Sequence, residues 1–174
     1  QEVDVLVIGG SSGAVQAAQK AAACGASVFL VAPRPYLGDD IAGTLRLNLE
    51  GGGPAQTDLY KALFRDDKAK ATGSDVVPMK VKKTFDDAML KAGVTFLTWC
   101  FATEPLIDAE GRVAGAVVAN KSGRQAIIAK IVIDATERAE ICRLAGAQAR
   151  PFPAGTCTFS RMVIAGEPPK ADGM

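Results

Sequence analysis

The sequence runs to 174 residues, 48% hydrophobic and 22% charged, with a formal net charge of +1. That balance excludes a disordered chain, and the scatter of lysine and arginine excludes a basic nucleic-acid-binding stripe. No apolar run approaches the roughly 18 residues of a membrane span, and the chain has no histidine, which removes Ser-His-Asp and Cys-His catalysis and most zinc chemistry.

The chain opens on Gln1 rather than a methionine. Either a leader has been removed, which favours an exported protein, periplasmic or extracellular, or the N-terminus has been trimmed in some other way. Val3 to Ile8 is a short apolar run that predicts a buried parallel strand. The turn "GGSSG" follows, and the alanine-rich stretch Ser12 to Cys24 predicts a helix with Gly25 as its C-terminal stop. Ser27 to Val31 predicts a second strand, ended by the prolines of "APRP". Together these form a strand–turn–helix–strand unit of about thirty residues, the length of the first half of a Rossmann fold.

Pro33 to Gln56 reads as a long irregular stretch holding the Gly51–Gly53 cluster. Asp39, Asp40 and Arg46 read there as polar groups of a solvated loop. Helices are predicted over Asp58 to Lys70 and over Pro78 to Ala92, the second capped by Ser74 or Asp75. Val94 to Leu97 predicts a strand. Three antiparallel strands follow, Ala102–Ile107, Val113–Ala119 and Ala126–Ile128, joined by the glycine-bearing turns "DAEGR" and "NKSGR". A separate fourth parallel strand is predicted at Ile131–Ile133, then a short helix in "DATERAEICRLAGA", and a final strand over Cys157 to Ala165. The cysteines Cys24, Cys100, Cys142 and Cys157 form no Cys-x-x-Cys pair and read as buried free thiols.

The turn after the first strand carries the functional signal. A Gly-x-Gly-x-x-Gly turn reverses the chain sharply, lets a diphosphate approach the backbone and lets helix and sheet pack closely. Here the three key places hold Gly9, Ser11 and Ala14. Gly9 supplies the reversal, Ala14 is small enough for the packing, and the Ser11 hydroxyl can bond a phosphate oxygen. No Gly-Lys-Ser/Thr ending follows, which excludes a P-loop. The acid that takes the adenosine ribose at the end of the second strand is replaced by Ala32. With Arg34 two residues on, a nicotinamide cofactor bearing a 2′-phosphate is an open alternative.

The whole arrangement resembles the FAD-dependent oxidoreductases of the glutathione-reductase-like flavoprotein superfamily. Three pieces carry the resemblance: "DVLVIGGSSGAVQAAQKAAACGASVFLVAPRPYLGDD", the meander, and "AKIVIDATERAEICRLAGA". It implies an α/β, Rossmann-like FAD-binding domain with a parallel sheet and an inserted three-stranded meander at about residues 101–129. The domain spans residues 1–150, and residues 151–174 begin a truncated substrate domain. The implied chemistry is hydride transfer from a small-molecule substrate to FAD.

By the same resemblance Gly9, Gly10, Ser11, Ser12, Gly13 and Ala14 hold the diphosphate. Ala32, Arg34, Gly38 and Asp39 line the adenosine and diphosphate, the Ala102 backbone meets the adenine, and Ala135 and Thr136 pass the diphosphate again. Ala32, Ser11, Ala14 and Glu137 are departures from the family pattern, with Glu137 expected to face solvent. The flavin and substrate site is expected to need a second polypeptide or a missing C-terminal part, and no catalytic residue is assigned. A non-catalytic subunit that keeps a degraded nucleotide fold is the other open alternative.

Overall fold

Strand β1 (Glu2–Ile8) divides the interior in two, because successive side chains leave a strand on opposite faces. Val5 and Val7 enter one buried cluster, Leu6 and Ile8 the other. A computed structural model describes this arrangement for residues 1–47, 57–64, 76–151 and 153–159. On the first face lie helix α1 (Ser12–Ala23), strand β2 residues Val28 and Leu30, helix α2 (Asp58–Phe64) and helix α3 (Pro78–Lys91). Val15, Ala18, Val81 and Phe85 fill it, all fully buried.

Alanines give α1 its helicity, and Ser11 caps it by accepting the Ala14 N–H at 3.3 Å. Gly25, at φ +86°, follows the C-cap Cys24 and lets the chain turn back. The start of α3 departs from expectation. Its N-cap is Val77, which makes no side-chain cap bond. Pro78 at the first position sets the helical φ and has no N–H to satisfy. Ser74 and Asp75 lie outside the described residues, as do Gly51–Gly53 and the part of the expected Asp58–Lys70 helix beyond Phe64.

Strands β2 (Val28–Val31), β3 (Thr95–Leu97), β4 (Phe101–Ile107), β5 (Val113–Asn120) and β6 (Gly123–Asp134) join β1 in one six-stranded sheet of order β3-β2-β1-β6-β5-β4. β1 is parallel to β2 and β6, and β2 to β3, while β4, β5 and β6 form an antiparallel meander. The expectation of two separate strands, Ala126–Ile128 and Ile131–Ile133, is corrected here: both belong to the single strand β6. Ile128 is the joint, pairing with Glu2 on one side and Gly115 on the other. Lys130 does not break the strand, because its Nζ reaches the Asp4 carboxylate at 2.6 Å on the surface.

The meander packs across the second face of the parallel strands. Ala116, Val118 and Ile127 join Leu6, Ile8, Phe29 and Val31 there, with Ile141 of helix α4 (Glu140–Leu144). A helix layer, a parallel sheet and a meander therefore stack around two cores. Among the cysteines only Cys100 is buried; Cys24, Cys142 and Cys157 are exposed free thiols, which corrects the expectation. Cys24 ends α1, where the chain leaves the core. Residues 157–159 are irregular, and the rest of the expected strand to Ala165 lies outside the described residues. Among the described residues no helix is long and apolar enough to cross a membrane, and no group of three or more side chains is placed to hold a metal ion.

Candidate functional site

The carboxyl ends of β1, β2 and β6 converge on the turn Gly9–Ala14. Gly9 donates its N–H to Val31 O at 2.8 Å, and Ala135 donates to Ile8 O at 2.8 Å. This clamps the strand ends so tightly that a Cβ on Gly9 would stand 2.5 Å from Ala135 O. The φ of Gly9 is +138°, which L side chains rarely adopt. Glycine is therefore demanded at this position by the neighbouring backbone itself.

Gly10 lies over Ala32, whose Cβ would be 3.1 Å from an added Gly10 Cβ. The loop after β2 closes over the turn, with the Gly38 N–H donating to Gly10 O at 2.6 Å. Gly38 has φ +80°, and a Cβ there would meet Val81 and Phe85 of α3 at 2.8–2.9 Å. So Gly9, Gly10, Ser11, Ser12, Gly13, Ala14, Ala32, Gly38 and Ala135 come together around one corner.

The loop also carries a feature that sequence reasoning missed. Asp39–Gly43 forms a π-type turn, and its Asp40 is no solvated loop residue. The Asp40 carboxylate accepts the Ser12 N–H at 2.8 Å and the Ser12 hydroxyl at 2.5 Å, at the positive end of α1. The partners stand 28 residues apart, so no local pattern signals the bond. Burial, and then the charge of Asp40, push the Asp39 carboxyl above the ordinary range, with Glu137 adding to the effect. Glu137 is exposed, as expected, yet close enough for its charge to act on Asp39.

Thr136 is committed to the β6–α4 turn. Its N–H and hydroxyl donate to Asp134 Oδ1 at 3.0 and 2.7 Å, and its hydroxyl accepts the Glu140 N–H at 2.9 Å. Asp134 Oδ2 accepts the Cys142 N–H at 2.9 Å. Burial raises the Asp134 carboxyl, but these donors outweigh it and hold the group below its ordinary range. Ala102 lies farther off in β4, half-buried and paired with Val118 beside a bulge. Arg34 is exposed, and its carbonyl accepts the Trp99 N–H at 3.2 Å.

A family model described as FAD dependent oxidoreductase matches residues 4–153. The chain belongs to that family. FAD is the cofactor of that family, which favours flavin over nicotinamide here. A comparison with curated proteins finds no match. Among solved structures, a geranylgeranyl bacteriochlorophyll reductase-like protein of Thermoplasma acidophilum is similar at 23% identity and a TM-score of 0.61, over 84% of this chain and 42% of that one. THI4 of Thermovibrio ammonificans is similar at 19% and 0.63, over 85% and 63%. The L-proline dehydrogenase of P. horikoshii is similar at 17% and 0.59, over 86% and 57%. At these identities the likeness is one of fold, and the chain spans less than two thirds of each relative.

The residues at the corner fit a diphosphate through their backbone. Among the described residues neither Ser11 nor Gly13 has a partner for its main-chain N–H, whereas that of Ser12 is taken by Asp40. Donors at the start of a twelve-residue helix favour an anion. Two donors of the turn are filled from within, Ser12 by Asp40 and Ala14 by the Ser11 hydroxyl, and those of Ser11 and Gly13 remain open.

Proposed function

We propose that this chain supplies the FAD-binding portion of a larger oxidoreductase acting on a small organic molecule, with further polypeptide completing the flavin and substrate site. The observation that carries the second half lies on β6. Among the described residues its carboxyl half pairs only with β1, because β5 leaves it at Ile128. Ile131, on that half, is 57% exposed. An open sheet edge beside an uncovered isoleucine calls for a further element. Residues 1–150 form the cofactor domain in this reading, and residues 151–174 begin the substrate domain.

Bound FAD supplies hydride acceptance at its N5. The chain's own part is binding and orientation. Ser11 and Gly13 offer main-chain donors to the diphosphate, Gly9 and Gly10 let the turn close against Ala135 and Ala32, and the Ala135–Thr136 segment backs the turn. Arg34 and Gly38 border the adenosine half, with Ala102 behind. Asp39 and Asp40 stand beside the diphosphate and oppose its charge.

Those two acids, with Glu137, favour a second reading: a subunit that has kept the fold and lost the cofactor. Native mass spectrometry of the protein isolated from its source separates the two. A mass containing this chain, further polypeptide and FAD supports the oxidoreductase. A flavin-free mass leaves the non-catalytic subunit.

A further inference from the structure

The carboxyl end of β2 is the station at which a Rossmann-like domain receives the adenosine of its cofactor. Ala32 stands there, fully buried and unable to bond a ribose hydroxyl. The chain between β3 and β4 runs directly alongside. The Ala32 N–H donates to Leu97 O at 2.8 Å, the Cys100 N–H to Ala32 O at 3.0 Å, and the Trp99 N–H to Arg34 O at 3.2 Å. Three main-chain bonds thus fix Trp99 at the rim of the station.

Two features of Trp99 find no explanation in folding. Its φ is +52°, a left-handed conformation that a bulky side chain adopts only under strain. The residue is 56% exposed, while the next residue, Cys100, is buried. Among the described residues its ring has neither an aromatic nor a cationic partner. A glycine or asparagine would make the same turn without strain and without exposing an indole. Trp99 thus combines a strained, fixed main chain with a solvent-facing indole at a ligand station.

We propose that Trp99 is the platform on which the adenine of FAD lies, holding the adenosine half of the cofactor where Ala32 makes no ribose contact. An indole face stacks on a purine without needing a hydrogen-bond partner, so it replaces a lost polar contact with a dispersive one. The inference rests on the reading that the protein binds FAD.

The test compares the full-length protein with Trp99→Gly and Trp99→Phe, titrating each flavin-free form with FAD and with ADP. Trp99→Gly suits the left-handed φ, so its flavin-free melting midpoint should equal or exceed that of the parent. Its Kd for FAD and for ADP should rise about ten-fold or more, the size of a lost aromatic–base stack. Trp99→Phe, which keeps a ring, should stay within about three-fold of the parent. If Trp99→Gly binds FAD as tightly as the parent, the platform is refuted and the FAD reading stands. If Trp99→Gly melts lower and Trp99→Phe binds no better than it, the ring is structural and the platform is again refuted. A full-length parent that takes up no FAD overturns both readings together.

Discussion

Replacing Gly9 by alanine is the sharpest test of how the corner is built. The added Cβ would lie 2.5 Å from Ala135 O, 2.8 Å from Ala135 C and 3.3 Å from Ala135 Cβ. The first two are backbone atoms, and the Ala135 N–H to Ile8 O bond of 2.8 Å holds them in place. Relief therefore requires the end of β6 to move by several tenths of an ångström, weakening that bond and the Gly9–Val31 bond. The φ of +138° adds backbone strain on the order of 1–3 kcal/mol. Together these effects destabilise the fold by on the order of 3 kcal/mol, which lowers the urea midpoint by roughly 1.5 M. Gly13→Ala is the control. Its Cβ would meet only Ser11 Oγ, at 3.7 Å, and alanine is the better residue in the first turn of α1. That variant should gain up to about 1 kcal/mol. Denaturation of the flavin-free full-length protein measures both. Equal midpoints for Gly9→Ala and the parent would refute the clamp between β1 and β6.

Other perturbations reach different parts of the reasoning. Asp40→Asn keeps an acceptor for the Ser12 N–H but removes a negative charge beside the diphosphate seat. FAD should bind tighter by about 1 kcal/mol, roughly five-fold, and flavin titration showing weaker binding would misplace the seat. Asp39 and Asp134 should respond to pH with opposite signs. Asp39 has a raised folded pKa, so stability declines as pH rises from the ordinary carboxylate value of 3.8 through that pKa, and Asp39→Asn should remove the decline and stabilise the neutral-pH protein. Asp134 has a lowered folded pKa, so it stabilises above 3.8 and loses that contribution as pH falls, and Asp134→Asn should destabilise the neutral-pH protein. Melting midpoints across the acid range check both. Gly115→Ala, at φ +144° and against Ile127 O in the β5–β6 ladder, should destabilise as much as Gly9→Ala yet leave the FAD affinity of the folded fraction unchanged.

Local chemistry made much of this fold legible. Apolar runs located β1 and β2, alanines located α1, and two glycine turns divided the meander. The continuity of β6 was hidden because Ala129–Lys130 separates two apolar triplets. In the structure Lys130 points to the surface and bonds Asp4, so its charge is no obstacle to a strand. The Asp40–Ser12 bond and the approach of Trp99 to Arg34 were hidden for a different reason. Each joins segments brought together by the sheet order, and neither segment carries a spacing that reports the other.

The geometry also changes what the glycine turn can be used to argue. Gly9 is held by Ala135 O and Gly38 by Val81 and Phe85, all of them protein atoms. A chain that had abandoned its cofactor would still need both residues to fold. Their presence therefore carries no information about binding, although they look like the core of the signature. The informative positions are those where the fold is indifferent or opposed: Gly13, which has open space for a side chain; Ser12, whose donor Asp40 has taken; and Trp99, strained and exposed without a folding reason. Gly13 and Trp99 point toward an occupied site and Asp40 away from it. Measured affinities of Asp40→Asn and Trp99→Gly for FAD thus weigh the two forces that decide whether this corner holds its diphosphate.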